Sequence, residues 1–337
     1  MADIARLAGV SKVSVSYALN GHPGVSEATR KRILAIAAEI GFSPSSAARA
    51  LSGAAAQAVG LVLSRPARTL GLEPFFMELI SGVEATLSAR EYALTLQVVT
   101  NPEAELALYK RWWGERRVDG VLVCDLRVDD PRIPALTDLG LPAVVIGGPG
   151  HVGDLPNVWS DDAAAVVETV EYLHALGHRR IARVGGLPQF LHTQLRTDAF
   201  RAVAARLKLT KATSEFSDYS GEEGARITRR LLSAATKPTA IIYDNDVMAI
   251  AGLGVVSEMG LSVPGDVSIV AWDDSVLCSL VHPPMTALQR DIPAYGARAA
   301  ELLLDVIDGG PGEHVQTATA RLAPRRSTAS IKANRGM

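Results

Sequence analysis

Cysteine is scarce in this chain: Cys124 and Cys278 are the only two among 337 residues. They lie far apart among apolar neighbours, so neither a disulfide framework nor a thiolate metal cluster is on offer. Both read as buried free thiols of a reducing cytoplasm. Apolar runs of about 18 residues are also missing, so no membrane span and no membrane partner are expected. The N-terminus has none of the charged and apolar regions of a secretory signal, which again favours the cytoplasm. Catalytic words are absent too: there is no His-Glu-x-x-His, no Gly-x-Ser-x-Gly and no phosphate loop. Gly147-Gly148-Pro149-Gly150 lacks the following helix that an anion cradle needs. No cofactor and no metal are expected, and no heptad repeat follows residue 324 to build a coiled-coil tetramer.

What the first 52 residues do contain is a series of short helix signals. Asp3 to Ala8 forms one helical pattern, Gly9-Val10 a turn, and Ser11 caps a second helix reaching about Leu19. Ile4, Ala5, Ala8, Val10, Val15 and Leu19 supply small apolar contacts for a close helix crossing. Asn20-Gly21 ends the second helix. Ser26 then caps a third, whose stripe is Ile33, Ile36, Ala37 and Ile40 and whose end is Gly41 in a left-handed cap. Two small helices around a Gly-containing turn make a helix-turn-helix, and its second helix enters the DNA major groove. Charge agrees: residues 1–52 carry +3 in a chain whose net charge is −2, which suits a molecule that meets phosphate with one end only.

Ser43-Pro44 then launches a helix pattern from Ala47 to about Ser52, two turns long and too short to be stable alone. From Val59 the pattern alternates. Residues 59–63, 93–99, 120–124 and 143–146 read as buried strands, with amphipathic stretches at 75–90, 103–116 and 131–139. A second set follows: helix 162–176, strand 180–184, helices 195–207 and 221–235, strand 239–243, helix 246–259 and strand 267–271. Such alternation predicts parallel sheets covered by helices, in two lobes with a cleft at the strand carboxyl ends. Lobe crossings are expected near 157–160, 285–290 and 315. The expected segments are a DNA-binding head 1–43, a hinge 44–57, a body 58–324 and a disordered polar tail 325–337.

Loops after strands supply the candidates for ligand contact. These are Phe75 and Phe76, Asp161, Arg196, Tyr219, Asn245 and Asp273. A carboxylate accepts hydroxyl protons, an arginine donates from a planar fork, and an aromatic face packs on the C–H face of a sugar, a set suited to a neutral polyol. Plainer roles stand beside these: helix caps for Asp161 and Asn245, core for Phe75 and Phe76, an ordinary ion pair for Arg196 with Asp273. Trp112-Trp113 reads as lobe packing, and His178 as a cation at a helix C-terminus.

Residues 4–16, Ile-Ala-Arg-Leu-Ala-Gly-Val-Ser-Lys-Val-Ser-Val-Ser, resemble the opening of the lactose-repressor/galactose-repressor (LacI/GalR) transcription regulators. Leu19-Asn20-Gly21, Val25 to Arg30 and Ala47 to Leu51 continue the likeness. Looser words follow in the body, including Leu176 to Ala182, Pro238 to Ile241, Asn245 to Ala249 and Asp266 to Val270. The resemblance reaches about residue 324. It implies an all-α helix-turn-helix head with a hinge helix, followed by an α/β two-lobed, periplasmic-binding-protein-like body.

The resemblance also implies roles. The hinge would fold on DNA, with Leu51 wedged into the operator centre and Ala48 keeping paired hinge helices close. Together with Ser11, Lys12, Val13, Ser16, Tyr17 and Asn20 these make the expected DNA-contacting set. Lys12, Val13 and Tyr17 are the base-facing bets. The family often has arginine where Tyr17 stands, and tyrosine lacks a bidentate fork for guanine, so a different half-site is expected. Arg196, Asp273, Asn245 and Tyr219 match the family's effector-binding arginine, aspartate, asparagine and stacking aromatic.

The expectation is a homodimeric, ligand-responsive repressor of carbohydrate-utilisation genes, not an enzyme. It would bind a near-palindromic double-stranded DNA operator, and a small sugar-like effector would release or strengthen that binding. Two other classes remain. A soluble sugar receptor without a DNA role is opposed by the helix-turn-helix. An enzyme using Asp161, Asp273 and Asp274 as acid–base carboxylates would have no nucleophile or metal cluster beside them.

Overall fold

A computed structural model describes residues 1–19, 22–42 and 55–331. Asn20, the hinge residues Ala48 and Leu51 and the last six residues fall outside that range. The head consists of α1 (Ala2–Ala8), α2 (Lys12–Leu19) and α3 (Glu27–Glu39). Gly9 ends α1 in the left-handed region, and the Ser26 side chain accepts a hydrogen bond from the Thr29 amide to start α3. Ile4, Ala5, Ala8, Val15, Ala18, Ile33 and Ala37 form the small core, with Val10, Leu19 and Ile36 packed against it. Ile40 is exposed and ends α3 instead of joining the buried stripe.

The first lobe runs β1 (Ala58–Leu63), α4 (Ala67–Leu72), α5 (Pro74–Ala89), β2 (Ala93–Val98), α6 (Pro102–Gly114), β3 (Gly120–Val123), α7 (Arg132–Leu139), β4 (Ala143–Ile146) and β5 (Asn157–Trp159). The second continues with α8 (Asp162–Ala175), β6 (Arg180–Gly185), α9 (Leu191–Arg206), β7 (Lys211–Phe216), α10 (Gly221–Leu232), β8 (Ala240–Tyr243), α11 (Asp246–Glu258), β9 (Ser268–Trp272), α12 (Val276–Leu280) and β10 (Thr286–Gln289). The chain then returns to the first lobe with α13 (Ile292–Ile307) and β11 (His314–Gln316), and ends in the second with β12 (Arg321–Ala323).

Strand order is β11-β5-β4-β3-β1-β2 in one sheet and β12-β10-β9-β8-β6-β7 in the other. The first sheet is parallel throughout; in the second only β12 is antiparallel. In each, the order reverses beside the first strand, β1 or β6, which opens a crevice at the strand carboxyl ends. Strands buried on both faces divide their side chains between two cores. Val59, Leu61 and Leu63 pack under α5 and α13, while Ala58 and Val62 face Trp112 of α6. Helices α5 and α13 meet backbone to backbone: a Cβ on Gly82 would lie 1.9 Å from the Pro293 carbonyl oxygen, and one on Gly296 2.3 Å from that of Leu79.

Three expectations need correction. Residues 93–99 are not a fully buried strand, because β2 lies at a sheet edge and leaves Leu96 and Val98 exposed. The tail is not disordered from residue 325. Arg325 pairs with Asp274 at 2.6 Å, the Ser327 side chain is fully buried, and the Ile331 amide donates to Leu176 O. His178 is no surface cation: it is buried, and its ring bonds the Thr239 hydroxyl and the Ala329 carbonyl. Burial pushes its pKa down to about 4, so it is neutral at pH 7.

Candidate effector cleft and nucleic-acid interface

Between the lobes, the carboxyl ends of both sheets face a cavity of about 90 Å³ that opens to solvent. An enclosed space of that size suits a small molecule rather than a peptide or a nucleic acid. Its walls include Phe75, Ser160, Asp162, His192, Arg196, Tyr219, Asp244, Asp273, Arg290 and Tyr295. The topology explains the gathering. Asp244 and Asp273 are the first residues beyond β8 and β9. Asp162 opens α8 just past one lobe crossing, and Arg290 sits in the next.

Two arginines organise the chemistry. Arg196 lies within helix α9, which begins at Leu191, four residues before the helix expected at 195–207. Its Nε donates to Asp162 Oδ2 at 2.8 Å, its guanidinium carbon lies 3.7 Å from the Trp272 ring centroid, and Asp244 Oδ2 is 3.7 Å from its Nη1. Arg290 forks onto both oxygens of Asp273 at 2.8 and 3.2 Å, and it sits over the rings of Phe75 and Tyr295. A planar cation held by a carboxylate and an aromatic face keeps one edge for a ligand. Asp244 is paired with the buried Arg183, yet its Oδ1 is buried without a hydrogen-bond partner. Burial acts against the charge on Asp162, but Arg196 and Arg290 hold its pKa below the usual carboxylate range. Burial, with Arg196 beside it, pushes His192 down to about 3, so its ring is neutral.

Tyr219 forms the wall between these groups and the first lobe. Its backbone is left-handed (φ 69°), and its hydroxyl meets His192 Nε2 at 2.6 Å and Thr193 Oγ1 at 3.1 Å. A Cβ on Gly186 would overlap the Tyr219 ring at 1.7 Å, so only glycine lets the ring lie there. From the first lobe, Arg65 reaches across: its guanidinium stands 4.6 Å from the ring centroids of both Phe190 and Tyr219, while Asp125 holds it at 2.7 Å. Backbone bonds also bridge the lobes, from Leu191 N to Leu126 O and from Val128 N to Gln189 O.

Of the seven sequence candidates, Phe75, Arg196, Tyr219 and Asp273 meet in this cavity. Phe76 does not line it; it is 2% exposed and belongs to the core under α5. Asp161 caps α8 by accepting from the Ala164 amide, and its neighbour Asp162 faces the cavity instead. Asn245 caps α11 and donates to Tyr219 O, so it supports the wall from behind. Sequence reasoning missed Asp162, His192, Asp244, Arg290 and Tyr295. Asp244 alone had a local signal, as the first residue after a buried strand.

In the head, α2 presents Lys12, Val13 and Tyr17 to solvent one turn apart, while Val15 and Ala18 face inward. The Ser11 hydroxyl accepts from the Ser14 amide and starts the helix. Ser16 is half-buried. The Tyr17 ring meets His22 edge-on at 5.8 Å, which fixes its direction, and Arg30 donates to the carbonyls of Ala18 and His22.

Residues 1–45 match the model of the bacterial regulatory proteins, lacI family, and residues 170–328 match that of a periplasmic binding protein-like domain. The chain is 32% identical to the HTH-type transcriptional regulator CelR of Thermobifida fusca, over 93% of each chain. It belongs to the lacI family. MalR of Streptomyces coelicolor is 33% identical, across 100% of this chain and 98% of that one. A solved CelR–cellobiose complex aligns with a TM-score of 0.74 at 30% identity, covering 96% of this chain and 98% of that one. The lac repressor dimer bound to operator and an anti-inducer shares the fold, with a TM-score of 0.84 at 24% identity over 97% of this chain and 98% of that one. As a lacI-family member the chain is a ligand-responsive, DNA-binding transcriptional regulator and not an enzyme. The carboxylates considered for catalysis are engaged elsewhere: Asp161 as a cap, Asp273 with Arg290, Asp274 with Arg325. Among the described residues no helix is long and apolar enough to cross a membrane.

Proposed function

We propose that this regulator is a homodimeric cytoplasmic repressor of carbohydrate-utilisation genes whose cleft binds a neutral sugar. The observation that carries the effector class is the charge arrangement of the cavity. Arg196 and Arg290 each already hold a carboxylate, while the buried Asp244 Oδ1 has no partner. A phosphate or carboxylate ligand would have to compete for those arginines and face Asp244. A hydroxyl would instead satisfy the open oxygen and take the free edges of the two forks. CelR is seen with cellobiose, which makes neutral glycosides the first probes.

Each head would read half of a near-palindromic operator through Lys12, Val13 and Tyr17, with Ser11, Ser16 and Asn20 supporting them. Hinge residues Ala48 and Leu51 would bind the operator centre. The ligand shifts DNA affinity only by binding one lobe arrangement better than the other. A randomised-site selection with the full chain, repeated with neutral sugars and their phosphate esters, tests the reading. A two-fold symmetric site whose affinity changes with a neutral sugar is the expected result. Response to the phosphate ester alone would overturn the effector class.

A further inference from the structure

The two lobes are joined by chain on one side and by direct contact on the other. The three crossings leave from β5, β10 and β11, which lie with β12 at one end of their sheets. Arg65, Phe190 and Tyr219 follow β1, β6 and β7, toward the opposite end. Crossings on one side alone would let the lobes part on the other, and Arg65 spans that side. Asp125 of its own lobe accepts from its Nε and Nη2 at 2.7 and 2.9 Å. Its guanidinium carbon meets the second lobe 4.6 Å from the ring centroids of both Phe190 and Tyr219. The residue is 5% exposed.

Both sides of this contact are braced. In the second lobe, Phe190 stacks on His192 with centroids 5.5 Å apart, and His192 meets the Tyr219 hydroxyl. The backbones touch at the same place: Arg127 and Phe190 form an antiparallel bridge, with the Val128 amide on Gln189 O at 3.1 Å and the Leu191 amide on Leu126 O at 2.8 Å. In the first lobe, Asp125 takes a left-handed backbone (φ 54°) that few residues other than glycine adopt. Burial acts against its charge, but Arg65 holds its pKa down at about 2, so the pair is ionised at neutral pH. The grip also has a weak point. Arg65 Nη1 is buried without a hydrogen-bond partner, and parting the lobes would give it water.

We propose that Arg65 is a reversible interlobe latch whose grip on Phe190 and Tyr219 sets the balance between joined and parted lobes, and so the baseline operator affinity from which an effector acts. The proposal rests on the reading that lobe arrangement governs DNA affinity, and it adds the residue that fixes the starting point. An effector can only shift an equilibrium that has room to shift. Too strong a latch leaves no parted population, and too weak a latch leaves no joined one. A guanidinium suits the task because it holds a carboxylate by its edge and offers flat faces to aromatic rings, which an ammonium cannot do.

Amide hydrogen exchange on the full chain without sugar reads the latch, because the Val128 and Leu191 amides are bonded across the lobes. Arg65→Gln should speed exchange at both by about ten-fold or more, the worth of two cation–ring contacts, while amides within β8 keep their rates. Arg65→Lys should behave nearly as Arg65→Gln, since it keeps a charge beside Asp125 but loses the flat faces. Phe190→Leu should reproduce the effect from the opposite lobe, and combining it with Arg65→Gln should add little to either alone. Unchanged rates at Val128 and Leu191 in Arg65→Gln overturn the latch, as do fully additive effects in the double variant. Operator affinity without sugar, on the site that a randomised selection returns, should shift by about three-fold or more in Arg65→Gln. Faster exchange with unshifted operator affinity overturns the baseline role, and with it the reading that lobe arrangement governs DNA binding.

Discussion

Single side chains in the cleft act in committed pairs, so their substitutions have two effects that must be separated. Asp273→Ala removes the carboxylate that Arg290 grips with both nitrogens and leaves a half-buried cation facing the cavity. Sugar affinity should fall about ten- to a hundred-fold, from the loss of about 1.5–3 kcal/mol of charged hydrogen bonding. Operator binding without sugar should persist; calorimetry alongside a gel shift reads both. Normal sugar affinity in this variant would take Asp273 out of the recognition set. The site was only partly legible at this scale. Phe75, Tyr219 and Asp273 were readable because each follows a strand or opens a helix, and Arg196 because it lies near the start of the helix after a buried strand. Arg290 and Tyr295 were not: a crossing near 285–290 was expected, but nothing local marks which of its side chains, or of the returning helix, turns to the cleft. Asp161 and Phe76 misled for a related reason: a one-residue shift along a helix start turns a side chain from cavity to cap or core.

Elements were more legible than contacts. Helices α1 to α3 and the strands β1, β3, β4, β6, β8 and β9 follow from apolar period and caps to within about two residues. Strand β7 escaped, since Lys211-Ala212-Thr213-Ser214-Glu215-Phe216 is an edge strand with a wet face and carries no apolar run. The reading also stopped short of α13, whose apolar residues serve the opposite lobe from the strands just before it.

Two element-level outcomes are expected. Ser26→Ala removes the α3 cap and should destabilise the head by about 1 kcal/mol, read as earlier thermal melting of the isolated transition or weaker operator binding. Gly296→Ala forces α13 away from α5, because the new Cβ meets the Leu79 carbonyl; a loss of about 1–3 kcal/mol in urea denaturation is expected, and an unchanged midpoint would mean the helices slide freely. On α2, Tyr17→Arg should change the preferred operator by about 1–3 kcal/mol per altered base pair; an identical site from a randomised selection would remove Tyr17 from base reading.

At the scale of the whole molecule, the buried His178 ties the C-terminal residues to the second lobe through Thr239 and Ala329. Its pKa falls from about 6.5 when unfolded to about 4 when folded. The stability it contributes is therefore complete above about pH 6.5 and is lost as pH drops toward 4. Glu73 and Asp246, raised to about 7 and about 6 by burial, act in the opposite direction over the same range. Only the difference between wild type and His178→Gln isolates the histidine. Denaturant midpoints at pH 7 and pH 4.5 should show a smaller acid loss in the variant, and equal losses would assign the acid sensitivity elsewhere.

The return of the chain to its first lobe also sets a timetable for biosynthesis. Ile292, Tyr295, Ala299, Leu302, Leu303 and Leu304 complete the core over β1 and β3, yet they are translated after every strand of the second lobe except β12. A nascent chain that has emerged only to residue 290 shows the ribosome's surroundings an uncovered sheet face, the kind of surface that chaperones hold and that otherwise aggregates. The first lobe closes with β11, only a few residues before β12 closes the second. A premature stop anywhere before α13 thus leaves a head with its own small core joined to a first lobe whose sheet face is uncovered.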